Sequence, residues 1–395
     1  MTPLPAWTAR SALQFVLLFG IVSLFADFAY EGARGVNGPF LGLLGASGLA
    51  VGIIAGAGEL LGYALRLFSG RAVDRTGWYW PMAILGYVVQ MLAVPALALA
   101  GNWQVAAALI IAERSGKALR KPATGVMMAG AGEVIGRGWA FGLYEGLDQL
   151  GALLGPLLVA LVLALRHDDY RLAFGWLAVP AALTLLLVLA ARLRFGHAGR
   201  TAPAAAMADG ERYPAAFWWY LAGAGAVGFG FADYPLIAYH FSRVGSVGPA
   251  SVPLFYAAAM AAGGAAALLF GRLYDRRGLI VLLPLTALTA VSAPLVFLGG
   301  FGPALAGSLL WGVGLGVHES IMSAAVAGMV PKSRLGSAYG LFTAAFGLAW
   351  FAGSAALGAL YDHSIAATVT LAVAAQLLAL PLLLIAARRM PRDAY

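Results

Sequence analysis

The sequence contains no cysteine, and only 11% of its 395 residues are charged. The absence of cysteine excludes disulfide bridges, thiolate metal sites and cysteine nucleophiles. The scarcity of charge excludes a water-soluble domain, because 62% of the residues are apolar and one core of this length cannot hide them all. Lipid must therefore surround much of the chain.

Apolar runs of about twenty residues recur along the chain, and each is long enough to cross a bilayer as a helix. A membrane barrel is excluded, since its strands would alternate polar and apolar residues. The first run follows Arg10 without a convincing cleavage site, so it is interpreted as a retained helix. Twelve spans are predicted, at residues 12–32, 48–69, 79–100, 103–126, 137–165, 170–192, 215–241, 251–271, 279–299, 303–329, 333–361 and 365–388.

The net charge of +8 reports topology and not nucleic-acid binding. If the N-terminus is cytoplasmic and each span crosses the membrane once, most basic loop residues lie on the cytoplasmic side. Only four lie on the outer side, namely Arg34, Arg166, Arg171 and Arg243. This asymmetry is the positive-inside signal, so both termini are expected in the cytoplasm.

The chain divides into two related halves. Residues 194–214 resemble a cytoplasmic linker, which leaves six-helix bundles at residues 1–193 and 215–395. Phe25-Ala26-Asp27-Phe28 matches Phe231-Ala232-Asp233-Tyr234, and residues 70–77 match residues 271–278 in the same register. Parallel six-helix repeats are typical of transporters that work by alternating access.

These residues resemble the major facilitator superfamily. The loop Gly70-x-x-x-Asp74-Arg75-x-Gly77 is similar to the signature loop of that family, and its second copy contains Gly271, Asp275, Arg276 and Gly278. Trp78 and Tyr79 depart from the pattern, since basic residues usually follow the last glycine. The resemblance implies an all-α polytopic fold of twelve transmembrane helices in two pseudo-symmetric bundles.

A second motif concerns the direction of transport. Gly142-x8-Gly151-x3-Gly155-Pro156 resembles the antiporter motif of drug and metabolite exporters, although Val159-Ala160 replaces its final glycine pair. The alternative is plain close packing of helices, for which membrane proteins use small residues widely. A looser similarity at residues 114–122 and 319–331 points to a sparsely characterised prokaryotic subgroup, which implies the cytoplasmic (inner) membrane of a prokaryote.

Acidic residues inside the predicted spans are the best candidates for function, because an ionised group at the bilayer centre costs at least about 2.5 kcal/mol. Glu113, with the neighbouring Lys117 and Arg120, is interpreted as a structural ion pair near a helix end. The remaining candidates for proton coupling or the substrate cavity, which include two arginines and an aromatic residue, are Asp27, Glu31, Arg34, Glu59, Arg114, Glu145, Asp148, Asp233, Trp311, His318 and Glu319.

Two further acids are predicted to act as gates. Asp74 and Asp275 are expected in loops, where a carboxylate can meet the positive N-terminal end of a helix. In the family that the sequence resembles, the partner of Asp74 would be the start of the eleventh helix, here near residues 333–337.

The leading hypothesis is a proton-coupled antiporter that exports a small amphipathic or cationic compound. Alternatives within transport are uptake of an organic anion, with Arg34 and Arg114 as clamps, and export of a divalent metal along His240, His318, Asp233 and Glu319. A transporter-fold receptor or a lipid scramblase is a further alternative. No phosphate-binding loop or catalytic motif is present, so no enzyme activity, cofactor or resident metal is expected. The expected partners are a small-molecule substrate, protons and the bilayer, and the protein is expected to be a monomer that binds no nucleic acid.

Overall fold

A computed structural model describes residues 7–166, 168–196, 213–330 and 335–390, and these residues are almost entirely helical. The helices of the first half are α1 (Ala9–Arg34), α2 (Asn37–Leu43), α3 (Gly48–Thr76), α4 (Tyr79–Ala96), α5 (Trp103–Ile135), α6 (Arg137–Leu165), α7 (Tyr170–Trp176) and α8 (Ala178–Arg194). Those of the second half are α9 (Ala215–Gly230), α10 (Tyr234–Val244), α11 (Ser251–Arg277), α12 (Leu282–Ala290), α13 (Ser292–Leu298), α14 (Phe301–Met329), α15 (Leu335–His363) and α16 (Ile365–Arg389). Short 3-10 helices lie at Leu97–Leu99 and Gly278–Val281.

The predicted polytopic all-α fold is confirmed. Within the described residues, ten helical segments are long and apolar enough to span a membrane. The two other predicted spans correspond to α5 and α14, which are 33 and 29 residues long. Because α5 carries several charged residues, it is not among the ten apolar segments. The same charged residues build the site described below.

Three predicted spans are each two helices in series, at 170–192, 215–241 and 279–299. The break in the seventh span lies at Asp233, where the repeat motif of α1 recurs. Pro235 follows that motif in the second copy, whereas Ala29 occupies the same register in the first. Proline lacks the N–H that a continuous helix needs and is favoured at a helix start, so α10 begins afresh while α1 continues through Asp27.

The expected gate loops are not loops. Gly70, Asp74 and Arg75 lie in the last turns of α3, and Gly271, Asp275 and Arg276 lie in those of α11. Both helices extend beyond their apolar segments, and the hydropathy pattern therefore placed their ends too early. Each ends at the last glycine of the motif, since Gly77 and Gly278 have φ angles of +67° and +66°. Residues other than glycine rarely adopt a positive φ, so the two copies of the motif share a requirement for glycine at this position.

The chain forms two compact units. Unit 1 contains Met1–Arg34 and Leu61–Ala205, and unit 2 contains Gly35–Leu60 and Ala206–Tyr395. The first turns of α3 thus belong to the unit that holds the second half of the sequence. Most of the predicted linker at 194–214 lies outside the described residues.

Each unit has an aromatic core. In unit 1, Phe15 and Phe19 of α1 pack with Trp80 and Phe195. In unit 2, Phe231 and Trp311 stack with their ring centroids 5.6 Å apart. The core of unit 2 thus includes Phe231 of the second copy of the repeat motif.

Candidate functional site

Asp27 is the centre of a buried ionic network in unit 1. Its side chain is 5% exposed and lies between two cations of α5. The Nη2 atom of Arg120 donates to Oδ1 at 3.3 Å, and the Nζ atom of Lys117 lies 3.5 Å from Oδ2. Charge-assisted hydrogen bonds are normally about 2.7–2.9 Å long, so Lys117 is held loosely. Its Nζ also lies 3.9 Å from Oε1 of Glu31, so it stands between two carboxylates.

A second buried carboxylate belongs to Asp148 of α6. The hydroxyl of Ser23, on α1, donates to Oδ1 of Asp148 and lies 2.9 Å from the hydroxyl of Tyr144. The Nζ atom of Lys121 lies 3.9 Å from Oδ2 of Asp148. The two aspartates are therefore linked through neighbouring residues of α1 and α5.

Arg120 is fully buried, and polar groups surround its guanidinium. Besides Asp27, it donates from Nε to Oε1 of Gln90 at 2.7 Å and from Nη1 to the hydroxyl of Tyr87 at 3.2 Å. The amide of Gln90 donates in turn to Oε1 of Glu113 at 3.0 Å. A buried charge is tolerated only when such partners satisfy it. Gln90 therefore connects Glu113 to the centre of the network.

Tyr30 provides an aromatic platform for two of the cations. The Nζ atom of Lys117 lies 3.8 Å from its ring centroid, and Cζ of Arg114 lies 5.1 Å from it. Both distances fall in the range of cation–π interactions. The hydroxyl of Tyr30 is buried and has no hydrogen-bond partner among the described residues. A buried hydroxyl without a partner is costly, so a water or solute group is expected there.

Glycines bring these elements together. A Cβ atom on Gly151 or Gly155 of α6 would collide with the carbonyl oxygens of Leu24 and Phe28 in α1. The backbones of α1 and α6 therefore touch, which brings Asp148 to the face of α1 that carries Ser23. Gly142 has open space around it, and Pro156 lies inside α6. Of the three glycines of the motif, Gly151 and Gly155 therefore lie in the contact with α1, whereas Gly142 does not.

The same close approach joins α4 and α5. A Cβ atom on Gly86 would lie 2.6 Å from the carbonyl oxygen of Gly116. Because the two backbones meet here, the short side chain of Gln90 reaches both Glu113 and Arg120. The network is thus built from α1, α4, α5 and α6 on small-residue contacts.

The predicted residues of unit 2 lie in other surroundings. Asp233 is 2% exposed and accepts from the indole of Trp350 at 2.8 Å and from the hydroxyl of Ser354 at 3.0 Å. Trp311 donates its indole N–H to the carbonyl of Ala232 at 2.8 Å. His318 is buried with its ring edge-on to Phe231. These side chains hold the break between α9 and α10.

The remaining predicted residues are distributed as follows. Arg34 is buried at the end of α1, Glu59 is half-buried, and Glu145 is exposed and accepts from Gln149 at 3.3 Å. Asp148, three residues further along α6, is buried. The side chains of Asp74, Asp275 and Glu319 and residues 331–334 lie outside the described parts of the chain. Among the described residues, no three histidine or acidic side chains are arranged as metal ligands.

Sequence reasoning placed Arg120 and Lys117 near a helix end, as a structural pair with Glu113. The helix continues to Ile135, so both lie well inside it and contact Asp27. A signal for this was present, because Glu113, Lys117, Arg120 and Lys121 recur at spacings that share one helical face. A charged stripe on a membrane helix has to face a polar interior.

The comparison with protein families decides the classification. The model of the Major Facilitator Superfamily matches residues 17–354 and, in a second match, residues 234–393. This chain belongs to the major facilitator superfamily. A Mycobacterium tuberculosis protein, named only as uncharacterized, is 41% identical to it over 392 residues, which is 98% of this chain and 95% of the relative. A Mycobacterium bovis relative has the same identity and coverage.

Several solved structures share the fold of this chain. A mutant of the peptide transporter POT is 18% identical, with a TM-score of 0.76 and coverage of 96% of both chains. A bacterial homolog of the human lysosomal transporter Spinster is 13% identical, with a TM-score of 0.73 and coverage of 97% of this chain and 98% of that one. A mutant of the nucleoside transporter NupG is 11% identical, with a TM-score of 0.73 and coverage of 95% and 98%. This chain therefore shares their multi-pass helical fold.

Proposed function

We propose that this protein is a proton-coupled secondary transporter, and that the network around Asp27 couples proton and solute binding. The observation that carries the proposal is the loose position of Lys117 between two carboxylates, at 3.5 Å from Asp27 and 3.9 Å from Glu31. A cation at these distances can exchange one partner for another without leaving the site. Protonation of either acid would release it.

The charge balance of the network favours an anionic or zwitterionic solute. Carboxylates and cations occur there in equal number, as Asp27, Glu31, Glu113 and Asp148 against Arg114, Lys117, Arg120 and Lys121. Arg34 adds another positive charge near Tyr30. When one acid takes up a proton, the network carries an excess of positive charge inside an apolar surround, and an anion would satisfy it.

Proton and anion would then bind together, which is the logic of symport. The solute carboxylate or similar group would lie against Lys117 and Arg114 at the edge of the Tyr30 ring, whose hydroxyl would donate to it. The preference for a cationic solute, which the sequence favours by its number of acids, weakens because the buried acids already have resident cations.

Antiport of a cationic compound remains the second candidate, and one observation favours it. Gly151 and Gly155, which belong to the segment of α6 that resembles the antiporter motif, lie in backbone contact with α1, beside Asp27 and Asp148. In that scheme the solute cation replaces Lys117 at a carboxylate and competes with the proton.

The pH dependence of ligand binding separates these two schemes, because linkage makes the coupling reciprocal. Purified protein would be heated with benzoate or with tetraphenylphosphonium at acidic and at alkaline pH, and the shift in the unfolding midpoint measured. Symport predicts stabilisation by benzoate that is larger at acidic pH. Stabilisation by tetraphenylphosphonium that is larger at alkaline pH would overturn symport in favour of antiport.

Tyr30→Phe provides a test within the site. The variant keeps the ring beneath Lys117 and removes only the hydroxyl, so weaker stabilisation by benzoate with an unchanged unfolding midpoint is expected. An unchanged shift would remove that hydroxyl from solute binding.

We place the protein in the cytoplasmic membrane with both termini inside, from the basic loop residues alone. Fusion of a periplasmic phosphatase to either terminus is expected to give no activity. Activity at either end would reverse the proposed orientation.

A further inference from the structure

A groove lies on the surface of unit 2, between the end of α11 and the start of α12. Its volume is about 490 Å³. Apolar side chains line most of it, and a single charged residue lies at the end nearest the turn. The lining includes Phe270, Leu273 and Arg277 from α11, and Pro284, Leu285 and Leu288 from α12. The groove therefore combines an apolar wall with one positive charge.

The walls of the groove are two stripes of side chains on neighbouring helices. Phe270, Leu273 and Arg277 lie on one face of α11, because they are separated by three and four residues. Pro284 and Leu288 share one face of α12 by the same rule. Only a short 3-10 helix separates the two helices in the chain. Both stripes therefore start from the same turn, where Arg277 lies.

Arg277 lies at the level where the membrane gives way to water. The apolar segments on either side of it are Ser251–Tyr274 and Gly278–Leu298, so Arg277 falls between the two. Phe270 precedes it by seven residues, which is about 10 Å along a helix. Half of a hydrocarbon layer is about 15 Å thick. The groove thus extends from the headgroup region through much of one leaflet.

The cation of the groove belongs to the second repeat alone. In the matched register of the two copies, Thr76 occupies the position of Arg277. The hydroxyl of Thr76 donates to the carbonyl of Ala72 at 2.6 Å, so it is used within its own helix. The first copy of the motif therefore forms its helix end without a cation at this position, and another reason is needed for Arg277.

We propose that this groove binds one anionic phospholipid, with its phosphate at Arg277 and one acyl chain along the apolar wall. By the predicted topology the turn at Gly278 faces the cytoplasm, and basic pockets between membrane helices on that side bind anionic headgroups. Arg272 and Arg276 are exposed at the same end of α11 and add positive charge. An arginine alone would attract any anion, whereas the apolar wall selects one that carries a hydrocarbon chain.

The absence of native cysteine allows a direct test. Leu269 is 62% exposed and lies four residues before Leu273, on the same side of α11, so a bimane fluorophore on Leu269→Cys would lie at the rim of the groove. The labelled protein would be reconstituted in phosphatidylcholine with a fixed fraction of phosphatidylglycerol, and one of the two lipids at a time would carry brominated chains that quench the fluorophore. Preferential quenching by brominated phosphatidylglycerol is expected. Arg277→Gln is expected to lower the relative binding constant of phosphatidylglycerol about fivefold.

Two controls match this design. Leu186 of α8 is 64% exposed and lies eight residues before Arg194, as Leu269 lies eight before Arg277, but it does not line the groove. The label on Leu186→Cys is therefore expected to show no preference between the two lipids. Arg388 is exposed at the end of α16, so Arg388→Gln removes a positive charge outside the groove and is expected to leave quenching at Leu269→Cys unchanged.

The lipid site is refuted if the two brominated lipids quench the label on Leu269→Cys equally, or if Leu186→Cys reports the same preference. It is also refuted if Arg277→Gln and Arg388→Gln lower the preference by the same factor. A second copy of this chain over the groove would give weak quenching by both lipids, which would overturn the proposal as well. None of these outcomes bears on solute binding at Tyr30 in unit 1, so the proposed transport function would stand or fall separately.

Discussion

The replacement of Arg120 by glutamine tests the ionic network most directly. Arg120 is fully buried and donates to Asp27, Gln90 and Tyr87. Its guanidinium carbon also lies 4.5 Å from the ring centroid of Tyr87. In Arg120→Gln the side chain is too short to replace these contacts, and Asp27 keeps only the looser contact with Lys117.

The expected cost follows from the burial of the pair. Removal of one partner from a buried ion pair typically destabilises a protein by about 3–5 kcal/mol, because the other charge remains without compensation. Asp27→Asn would leave Arg120 in excess and is expected to cost a similar amount. The double variant removes both charges, so its cost should fall short of the sum by about 1–3 kcal/mol. The assay is reversible unfolding in mixed micelles with increasing denaturing detergent.

Arg171→Gln is the control for the loss of an arginine. Arg171 donates to the carbonyl of Ala98 at 3.0 Å from an exposed position, so its loss is expected to cost less than about 1 kcal/mol. If the costs of Arg120→Gln and Asp27→Asn add without coupling, or if Arg120→Gln costs no more than Arg171→Gln, the network does not hold the helices together as argued.

The other predictions concern single positions. Lys117→Gln is expected to abolish the stabilisation by benzoate measured in thermal unfolding, since it removes the cation that would meet the anion; a retained shift would place the anion elsewhere. Gly155→Ala is expected to lower the free energy of unfolding by more than about 2 kcal/mol, because the added methyl group collides with α1. Gly146 has open space around it, so Gly146→Ala is expected to raise the free energy of unfolding slightly through better helix propensity. Equal effects of the two substitutions would contradict the contact between α6 and α1. Gly77→Ala and Gly278→Ala are each expected to cost about 1 kcal/mol because both positions have positive φ, and a cost at only one of them would contradict the shared requirement for glycine.

Much of the fold follows from the sequence because its signals are local. Apolar runs, breaks between them and the repeat of Phe-Ala-Asp indicate twelve spans in two related halves. The helix ends do not follow, because α3 and α11 continue past their apolar segments until Gly77 and Gly278 stop them. Hydropathy reports where lipid surrounds a helix and not where its hydrogen bonds end.

The site was predictable in part. The cost of placing a charge in the membrane identifies Asp27 and Asp148 as candidates, and the structure brings both into one network. The same criterion also identifies Glu145, which is exposed. The roles of Gln90 and Ser23 had no signal, because single neutral polar residues are common in membrane helices. Their positions depend on how closely glycines let α1, α4, α5 and α6 approach, which is a tertiary property.

The two copies of the repeat motif show how one neighbouring residue changes the structure. Ala29 allows α1 to run through Asp27, which then faces α5, whereas Pro235 ends one helix and starts the next beside Asp233. Ala29→Pro would remove a hydrogen bond inside α1 and is expected to cost about 3 kcal/mol or more. Pro235→Ala is expected to cost less than about 1 kcal/mol, because the break is also held by Trp311, which donates to the carbonyl of Ala232. The free energy of unfolding of both variants tests this explanation. A similar loss at the two positions would mean that proline does not cause the break between α9 and α10.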